Sequence, residues 1–315
     1  MSNPTAAAPD MQPLVAVIIL NWNGLPDTLA CLQSLRSSTY DNVRIFVMDN
    51  GSREDPSSAL ASCPEVTLLC SPVNLGFTGG NNYAAEIALR EKPDYLLVLN
   101  NDTIVSPEMI CELVRAHQRA PKAGLISACQ PLCDDLDIPG ALGGTWQPLI
   151  CRSRRARGNP DKEMPDLVEF DTLLGFALLV PRAIVEQVGL FDDQFFAYSE
   201  DTDLSLRVKQ AGYKNYCAMK ATVTHKWAGS TPDTASGPNC GRMYLLCRSL
   251  GLMIRKHARG WARLVAPLWL LKSALGSALR AILKPTIRRA SAAELCGFRD
   301  GWGRRPPDLR WLERK

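Results

Sequence analysis

The chain has 315 residues, 46% of them hydrophobic and 22% charged, with 22 Gly and 22 Pro. This composition excludes a disordered, collagen-like or disulfide-scaffold chain. The formal net charge of +4 divides unevenly: residues 1–241 hold 19 Lys+Arg against 28 Asp+Glu, net −9, whereas residues 242–315 hold 17 against 4, net +13. An acidic body long enough to bury a core of its own is followed by a basic tail.

Residues 1–13 are rich in Ala and Pro and lack Lys and Arg. They read as a disordered leader, since a signal peptide needs a basic start and an apolar run. The eleven Cys form no C-x-x-C pair and show no zinc-type spacing with His, so they read as reduced thiols in a cytosolic chain.

Residues 15–20 are a continuous apolar, β-branched run that stops at Asn21-Trp22-Asn23-Gly24, as a strand buried on both faces does. A helix is predicted over 29–35, a second strand over 43–48 ending at Asp49-Asn50-Gly51-Ser52, and a third over 66–70. The glycine-rich stretch from Asn74 through Gly79 to Asn82 then reads as a loop leading into a helix over 83–90. A fourth strand, 95–99, ends in Asn100-Asn101-Asp102. Ser106-Pro107-Glu108 predicts an N-cap, an N1 proline and an early acid for a helix reaching residue 117. Strand and helix alternate at short spacing, so the first 120 residues read as a mostly parallel, doubly wound α/β sheet. Residues 130–170, rich in Pro, Gly and charge, suit a long surface excursion. An apolar strand over 173–180 and an acidic helix start from Glu200 to Arg207 follow.

In open α/β sheets, ligands bind at the carboxyl ends of the strands. That rule selects Asn21, Asn23, Asp49, Asn74 and Asn100 to Asp102. Asp49 reads equally well as a turn residue bonding its own backbone or as a carboxylate receiving a ribose or base edge. The G-x-x-G-G spacing fits neither a dinucleotide fingerprint nor a P-loop, which disfavours a nicotinamide oxidoreductase. It offers close backbone approach and N–H donors at a helix start, suited to an anion. Asp102, beside two Asn amides, suits a cation with few protein ligands whose remaining positions are filled by substrate phosphates, as Mg²⁺ tolerates. In the acidic helix start, Ser199 reads as the N-cap and Asp203 as the i, i+4 partner of Arg207. Asp201 faces elsewhere without an evident partner and can serve as a general base, with Glu200 beside it. Of the three His, His225 follows a strand, and His117 and His257 read as structural.

Taken in order, residues 19–23, 47–52, 74–82, 99–102, Gly175-Phe176-Ala177, 200–204 and His225 resemble the family 2 glycosyltransferases, in particular bacterial enzymes related to rhamnosyltransferases. The resemblance spans residues 15 to about 230. It implies a GT-A fold, a nucleotide-sugar donor, a divalent metal (Mg²⁺ or Mn²⁺) and inversion at the anomeric carbon. Carried over by position, Asn21, Asn23, Asp49, Asn74, Gly79, Asn100 and Asn101 would lie on the donor side. Asp102 would match the metal-binding aspartate of the D-x-D motif, with His225 a further metal or diphosphate contact. Asp201, with Glu200, would be catalytic, taking the proton of the acceptor hydroxyl, and Gly175 and Phe176 would lie on the acceptor side. The motif reads Asn-Asn-Asp here, so Asn100 stands where the first aspartate is expected and the metal is held weakly or mainly by the donor. The implied reaction moves a sugar, rhamnose among the candidates, from a dTDP- or UDP-sugar to a cell-envelope glycan or lipid-linked acceptor. The alternative is a nucleotide-sugar-binding or membrane-associated scaffold without catalysis, which Asn100 makes thinkable.

The domain reading is a leader over 1–13, a GT-A domain over 14–240 and a basic, amphipathic helical region over 241–315. In that region residues 244–263 and 264–284 have helical periodicity interrupted at Pro267. Arg255, Lys256, Arg259, Arg263, Arg280, Lys284 and Arg288 share one arc, and Leu264, Leu268, Leu271, Leu275, Leu279 and Ile282 lie opposite, with Lys272 anomalous on the apolar side. The uncharged run 264–271 is far shorter than the roughly 20 residues of a spanning helix. The region reads as an interfacial helix pair on an anionic membrane, at the inner face of the cell membrane. Docking on the body or on a second copy of the chain competes with that reading. A nucleic-acid partner is not expected, because no such motif accompanies the basic face.

Overall fold

The computed structural model of the protein describes residues 12–120, 122–131, 142–156, 165–226, 239–283 and 288–312. The leader over 1–11, Arg157, Lys284 and the segment after Lys226 lie outside the described residues. In chain order the strands are β1 Val15–Asn21, β2 Val43–Asn50, β3 Val66–Ser71, β4 Tyr95–Asn100, β5 Thr103–Val105, β6 Ala123–Cys129, β7 Gly143–Gln147, β8 Arg152–Ala156, β9 Leu167–Phe170, β10 Ala177–Pro181 and β11 Lys214–His225. The helices are α1 Leu25–Leu35, α2 Ser57–Leu60, α3 Gly76–Ala88, α4 Met109–Arg119, α5 Arg182–Val188, α6 Glu200–Gln210, α7 Cys240–His257, α8 Ala262–Leu283 and α9 Arg288–Trp302.

The central sheet runs β3-β2-β1-β4-β10-β6-β11-β5, with β9 also on β11. Its β3-β2-β1-β4 half is parallel, as the apolar runs require. β10 enters antiparallel between β4 and β6, and β6 and β11 are parallel, so the second half is mixed. Two apolar layers cover it. One contains Ile19, Leu97, Leu113 and Ile126, the other Ile18, Leu96, Leu178 and Leu204. The register aligns Asn21 with Asp49 and Leu20 with Asn100, which puts the polar strand ends at one edge. Because β10 runs the other way, its start arrives at that same edge: Ala177 pairs with Leu99. His225 closes β11 there, opposite Thr103.

Several local expectations are corrected. α1 begins at Leu25, with Pro26 in its first turn. The glycines 76–80 belong to α3 itself rather than to a preceding loop. Ser106 does not cap α4: Glu108 holds that position without a side-chain bond, and Ser106 contributes only its carbonyl to Met109. The 173–180 strand shortens to β10, which frees residues 173–176 for the site. Residues 130–170 contain order that the composition hid, a β7–β8 hairpin and the sheet strand β9.

The tail departs most from expectation. The helix break falls at residues 258–261, Pro267 lies inside α8, and a third helix, α9, follows. α7 is buried and packs against α9, where a methyl at Gly297 or Gly301 would run into the α7 backbone at Tyr244 and Arg248. α7 also docks on the body. Arg248 donates to the carbonyls of Gln194 and Arg305, Ser249 Oγ to that of Ala197, and Lys256 Nζ pairs with Asp192 and Asp203 at 2.6 and 2.8 Å. Lys256 therefore faces the body rather than a basic outer arc. α8 alone presents a bare apolar face: Leu264, Leu268, Leu271, Leu275, Leu279 and Ile282 are 55–76% exposed. Among the described residues no helix is long and apolar enough to cross a membrane, and all ten cysteines are free.

Candidate active site

At the strand ends, buried Asp49 accepts from Asn21 Nδ2 at 2.8 Å and from Ser52 Oγ at 2.6 Å, and its second oxygen takes the Ser52 N–H. Both readings of Asp49 are thus present: it closes its own turn and stands at the crevice edge. Asn21 is braced by Thr28 Oγ1. Asn23, exposed and at φ 54°, accepts from the Arg53 N–H while its own N–H donates to Ser52 Oγ. Ser52 thus joins three of these side groups, and sequence reasoning left it out.

Several donors at the start of α3 are engaged within the protein. Asn74 Oδ1 takes the Gly76 N–H, Asn50 Oδ1 takes that of Leu75, and the Phe196 carbonyl takes that of Thr78. Those three donors are consumed internally. Asn50, also missed from sequence, ties β2 to α3 by donating to Asn74 Oδ1 and the Gly76 carbonyl. Gly76 has φ +80°, and a Cβ there would meet the Phe196 ring and carbonyl at 2.6 Å, so glycine is required. Gly79 has only Leu75 near its missing side chain. Asn101 turns away toward α1, donating to Thr28 Oγ1 and the Gly24 carbonyl.

The carboxylate of Asp102 lies 2.9 Å from His225 Nε2, and both residues are buried. Asn100 Nδ2 approaches the same imidazole nitrogen at 3.3 Å, and its buried Oδ1 has no hydrogen-bond partner. The Phe176 ring stacks on His225 with centroids 5.5 Å apart, and the Phe176 carbonyl accepts from the Asn100 N–H. One residue earlier, the Gly175 N–H donates to Asp201 Oδ2 at 3.0 Å. Gly175-Phe176 is therefore the joint between the Asp102–His225 pair and Asp201. These two residues position both groups, a role that the acceptor-side expectation did not contain.

Asp201 also accepts from the Thr202 N–H and hydroxyl, so it has partners that the sequence did not reveal. Burial raises its pKa, while the N–H groups of Thr202 and Gly175, the Thr202 hydroxyl and the charge of Arg155 oppose the rise. Glu200 is more deeply buried and its Oε2 has no partner. Burial first, then the Asp201 charge, push it up to about 8. Of two adjacent carboxyls, the one without donors keeps the proton and the one with donors ionises. Asp201 is thus the first of the two to ionise and the base-competent carboxyl, and Glu200 is its neutral neighbour.

Ser199 occupies the N-cap position of α6 but lies in the left-handed region at φ 67° and makes no cap bond, which corrects the capping expectation. Phe196 and Tyr198 are left-handed as well, at φ 58° and 68°. Non-glycine residues seldom adopt this conformation, and such clusters concentrate at functional sites. Asp203 pairs with Arg207 at 2.7 Å as expected, but it also receives Lys256 and, at 2.7 Å, His257 Nε2. Burial alone would raise its pKa; the His257 hydrogen bond, the Arg207 charge and Lys256 instead bring it to about 2. His117 contacts the Tyr95 hydroxyl and is structural, as read.

Asp201 forms one end of a cleft of about 820 Å³. Its walls are the β7–β8 hairpin, α7 and α8, and neither Asp102 nor His225 lines it. Arg152 and Arg155, within the 130–170 excursion, are therefore part of a cleft wall.

The model for "Glycosyl transferase family 2" matches residues 16–156, and that for "Glycosyl transferase family group 2" matches 95–286. An N-acetylglucosaminyl-diphospho-decaprenol L-rhamnosyltransferase of Mycobacterium tuberculosis is 31% identical over 316 residues, covering 91% of this chain and 97% of that one. The low-salt glycan biosynthesis hexosyltransferase Agl10 of Haloferax volcanii is 26% identical, covering 62% of each chain. Among solved structures, a mannosyltransferase from Pyrobaculum calidifontis in complex with GDP-Man and Mn²⁺ matches with a TM-score of 0.57 at 14% identity, covering 94% of this chain and 89% of that one. GalNAc-T7 with UDP, GalNAc and Mn²⁺ matches with a TM-score of 0.59 at 14% identity, covering 95% of this chain and 56% of that one. The architecture is that of the GT-A glycosyltransferases.

Proposed function

The chain belongs to the family 2 glycosyltransferases, and from that premise we propose that it is an inverting rhamnosyltransferase acting from a dTDP- or UDP-activated donor on a lipid-linked glycosyl acceptor. The observation that carries the reading is the Gly175-Phe176 joint, which sets a base-competent carboxylate one residue away from a strand-end Asp–His pair. An inverting transfer needs that pairing: a base for the attacking hydroxyl, and a neutralising group for the departing diphosphate on the opposite side.

The donor set at Asp102 fits a divalent cation with few protein ligands. A carboxylate and an imidazole nitrogen lie together, with the partnerless Asn100 Oδ1 on the side chain that approaches them. Asp102 and His225 would hold the ion with the donor phosphates completing its shell, and it would neutralise charge developing on the leaving diphosphate. Asn21, Asn23, Asp49 and Ser52 then border the nucleoside, with Asn74 and Asn50 holding the α3 side. Asp201, oriented by its three donors, takes the acceptor proton. The catalytically silent scaffold is disfavoured, because a silent protein has no use for a left-handed segment leading into a donor-held aspartate.

Seventeen cations against four acids in residues 242–315 and the bare leucine face of α8 support a peripheral seat on an anionic membrane at its cytoplasmic face. Truncation after Cys240 would remove the α7 groups that pair with Asp203, so the surface is better tested by substitution. Leu268→Gln/Leu275→Gln/Ile282→Gln should abolish flotation with phosphatidylglycerol liposomes while donor hydrolysis persists; unchanged flotation overturns the membrane reading. A panel of nucleotide-diphosphate sugars with Mn²⁺ tests the reaction. Stabilisation and turnover with dTDP-rhamnose are expected, and donor binding without turnover would favour the scaffold.

A further inference from the structure

The cleft beyond Asp201 has an unusual lining. Leu246, Leu250, Met253 and Phe298 give it an apolar part, and Leu246 is 42% exposed. Four cations line it, Arg152 and Arg155 from the β8 side and Lys272 and Arg280 from α8; Arg155 acts on Asp201 itself, which leaves the other three for the space beyond it. Arg152, on β8, places its guanidinium over the Trp269 ring of α8 at 5.3 Å. Lys272 stands one helical turn on from Trp269, and i, i+3 side chains are neighbours about 5–6 Å apart. Arg152 and Lys272 thus line one cleft from facing elements, each beside Trp269. Arg280 also lines the cleft but is neutralised by Glu294 at 2.7 Å, whereas among the described residues neither Arg152 nor Lys272 has a carboxylate at ion-pair distance. Two cations that line one cleft and are paired with no carboxylate suit a dianion, and a guanidinium with an ammonium suits a diphosphate.

The position decides which diphosphate. The donor's must leave at the Asp102–His225 pair, and neither of those residues lines this cleft. The cations sit instead on the side from which Asp201 receives its hydroxyl. At about 100° per residue, Lys272 and Gly276 lie roughly a quarter of a turn around α8 from the bare leucine stripe, so the cleft opens beside the face assigned to the membrane. This explains the placement of Lys272 on an otherwise apolar helix side.

We propose that this cleft is the acceptor subsite, in which Arg152 and Lys272 hold the diphosphate of a glycosyl diphospholipid, its sugar toward Asp201 and its chain leaving along α8. The inference rests on the lipid-linked acceptor reading above and adds the residues that recognise it.

The test is calorimetric titration of the full chain, with Mn²⁺ and dTDP present, using a short-chain N-acetylglucosaminyl diphospholipid. Arg152→Gln and Lys272→Gln should each weaken binding about tenfold, as loss of one charge-assisted contact does, and the double variant more. Arg154→Gln, on the same hairpin but outside the cleft lining, should leave it unchanged. The corresponding lipid glycoside without phosphate should bind wild type and double variant alike. Inorganic pyrophosphate, which has the diphosphate without sugar or chain, should compete only weakly, and phosphatidylglycerol vesicles should not compete. Equal binding of the diphospholipid to wild type and double variant, an equal loss in Arg154→Gln, or full competition by pyrophosphate overturns the proposal. Donor hydrolysis by the same proteins reports separately on the enzyme reading: its absence from wild type would sink the transferase without altering the titration, and its persistence in the double variant places any loss on the acceptor side.

Discussion

Replacing Glu200 by Gln isolates the cost of burying a carboxyl beside a second one. Burial and Asp201 raise Glu200 from 4.5 to about 8. The folded chain therefore binds more protons than the unfolded one between those pH values, and stability falls as pH rises through them. Fully developed above pH 8, a shift of this size costs on the order of 5 kcal/mol, a large share of a typical domain's total stability. Glutamine keeps the shape and cannot ionise. Glu200→Gln should therefore differ little from wild type at pH 5 in urea unfolding followed by tryptophan fluorescence, and should gain a few kcal/mol by pH 9. Its turnover at pH 7 should largely persist, because Glu200 is already neutral there. Stability curves that stay parallel from pH 5 to 9 would refute the reasoning, as would a variant whose turnover vanishes at neutral pH.

Asp201→Asn should reduce transfer by the roughly 10²–10⁴-fold typical of a lost general base with donor binding intact; since burial raises the Asp201 pKa, the acid limb of the wild-type pH–rate profile should lie above the ordinary aspartate range. Gly175→Ala would set a Cβ 3.1 Å from that of Asp201, and single-turnover kinetics should show a slowed chemical step with an unchanged donor KM. Asp203→Asn leaves Arg207, Lys256 and His257 without their shared anion, which should cost about 3–5 kcal/mol in denaturant unfolding. The Asp203 contribution, resting on a pKa lowered to about 2, is present above the unfolded value near 3.8 and should fade in wild type only as pH falls toward 2.

The strand ends were legible because a buried parallel strand announces itself as an apolar run and must stop at polar residues where the crevice begins; Asn21, Asp49 and Asn100 follow from that alone. The pairing of Asp102 with His225, 123 positions later, was not legible, because it depends on β10 entering antiparallel and bringing β11 to the same edge. No local pattern encodes that insertion. Gly175 and Phe176 were visible as a motif, yet their work of holding Asp201 by an N–H and His225 by a ring belongs to tertiary structure. The capping readings at Ser106 and Ser199 failed for a common reason: a side chain that fits a cap by type is overridden where neighbouring chain sets the backbone. At Ser199 that neighbour is the left-handed segment held from both sides, by α3 through Phe196 and by α7 through Ala197. In the tail, helical periodicity found the leucine stripe of α8 but could not separate α7, whose faces are divided between α9 and the body.

The division of charge between body and tail acquires a physical meaning at Asp203. This acid of the body lies on α6 two residues after Asp201, the proposed base, and its charge is balanced by Arg207 of its own helix and by Lys256 and His257 of α7. α7 also grips the strained segment before α6, through Arg248 on the Gln194 carbonyl and Ser249 on that of Ala197. The tail is therefore a support for the catalytic helix as well as a carrier of charge. Its next helix, α8, forms a wall of the acceptor cleft on one side and bares six large apolar side chains on another. A membrane contact made by that bare face would be transmitted through α8 and α7 to the helix that holds Asp201. Seating on the bilayer and assembly of the acceptor site would then be one event, and detergent or liposomes should alter the acceptor KM of the full chain while leaving donor hydrolysis untouched.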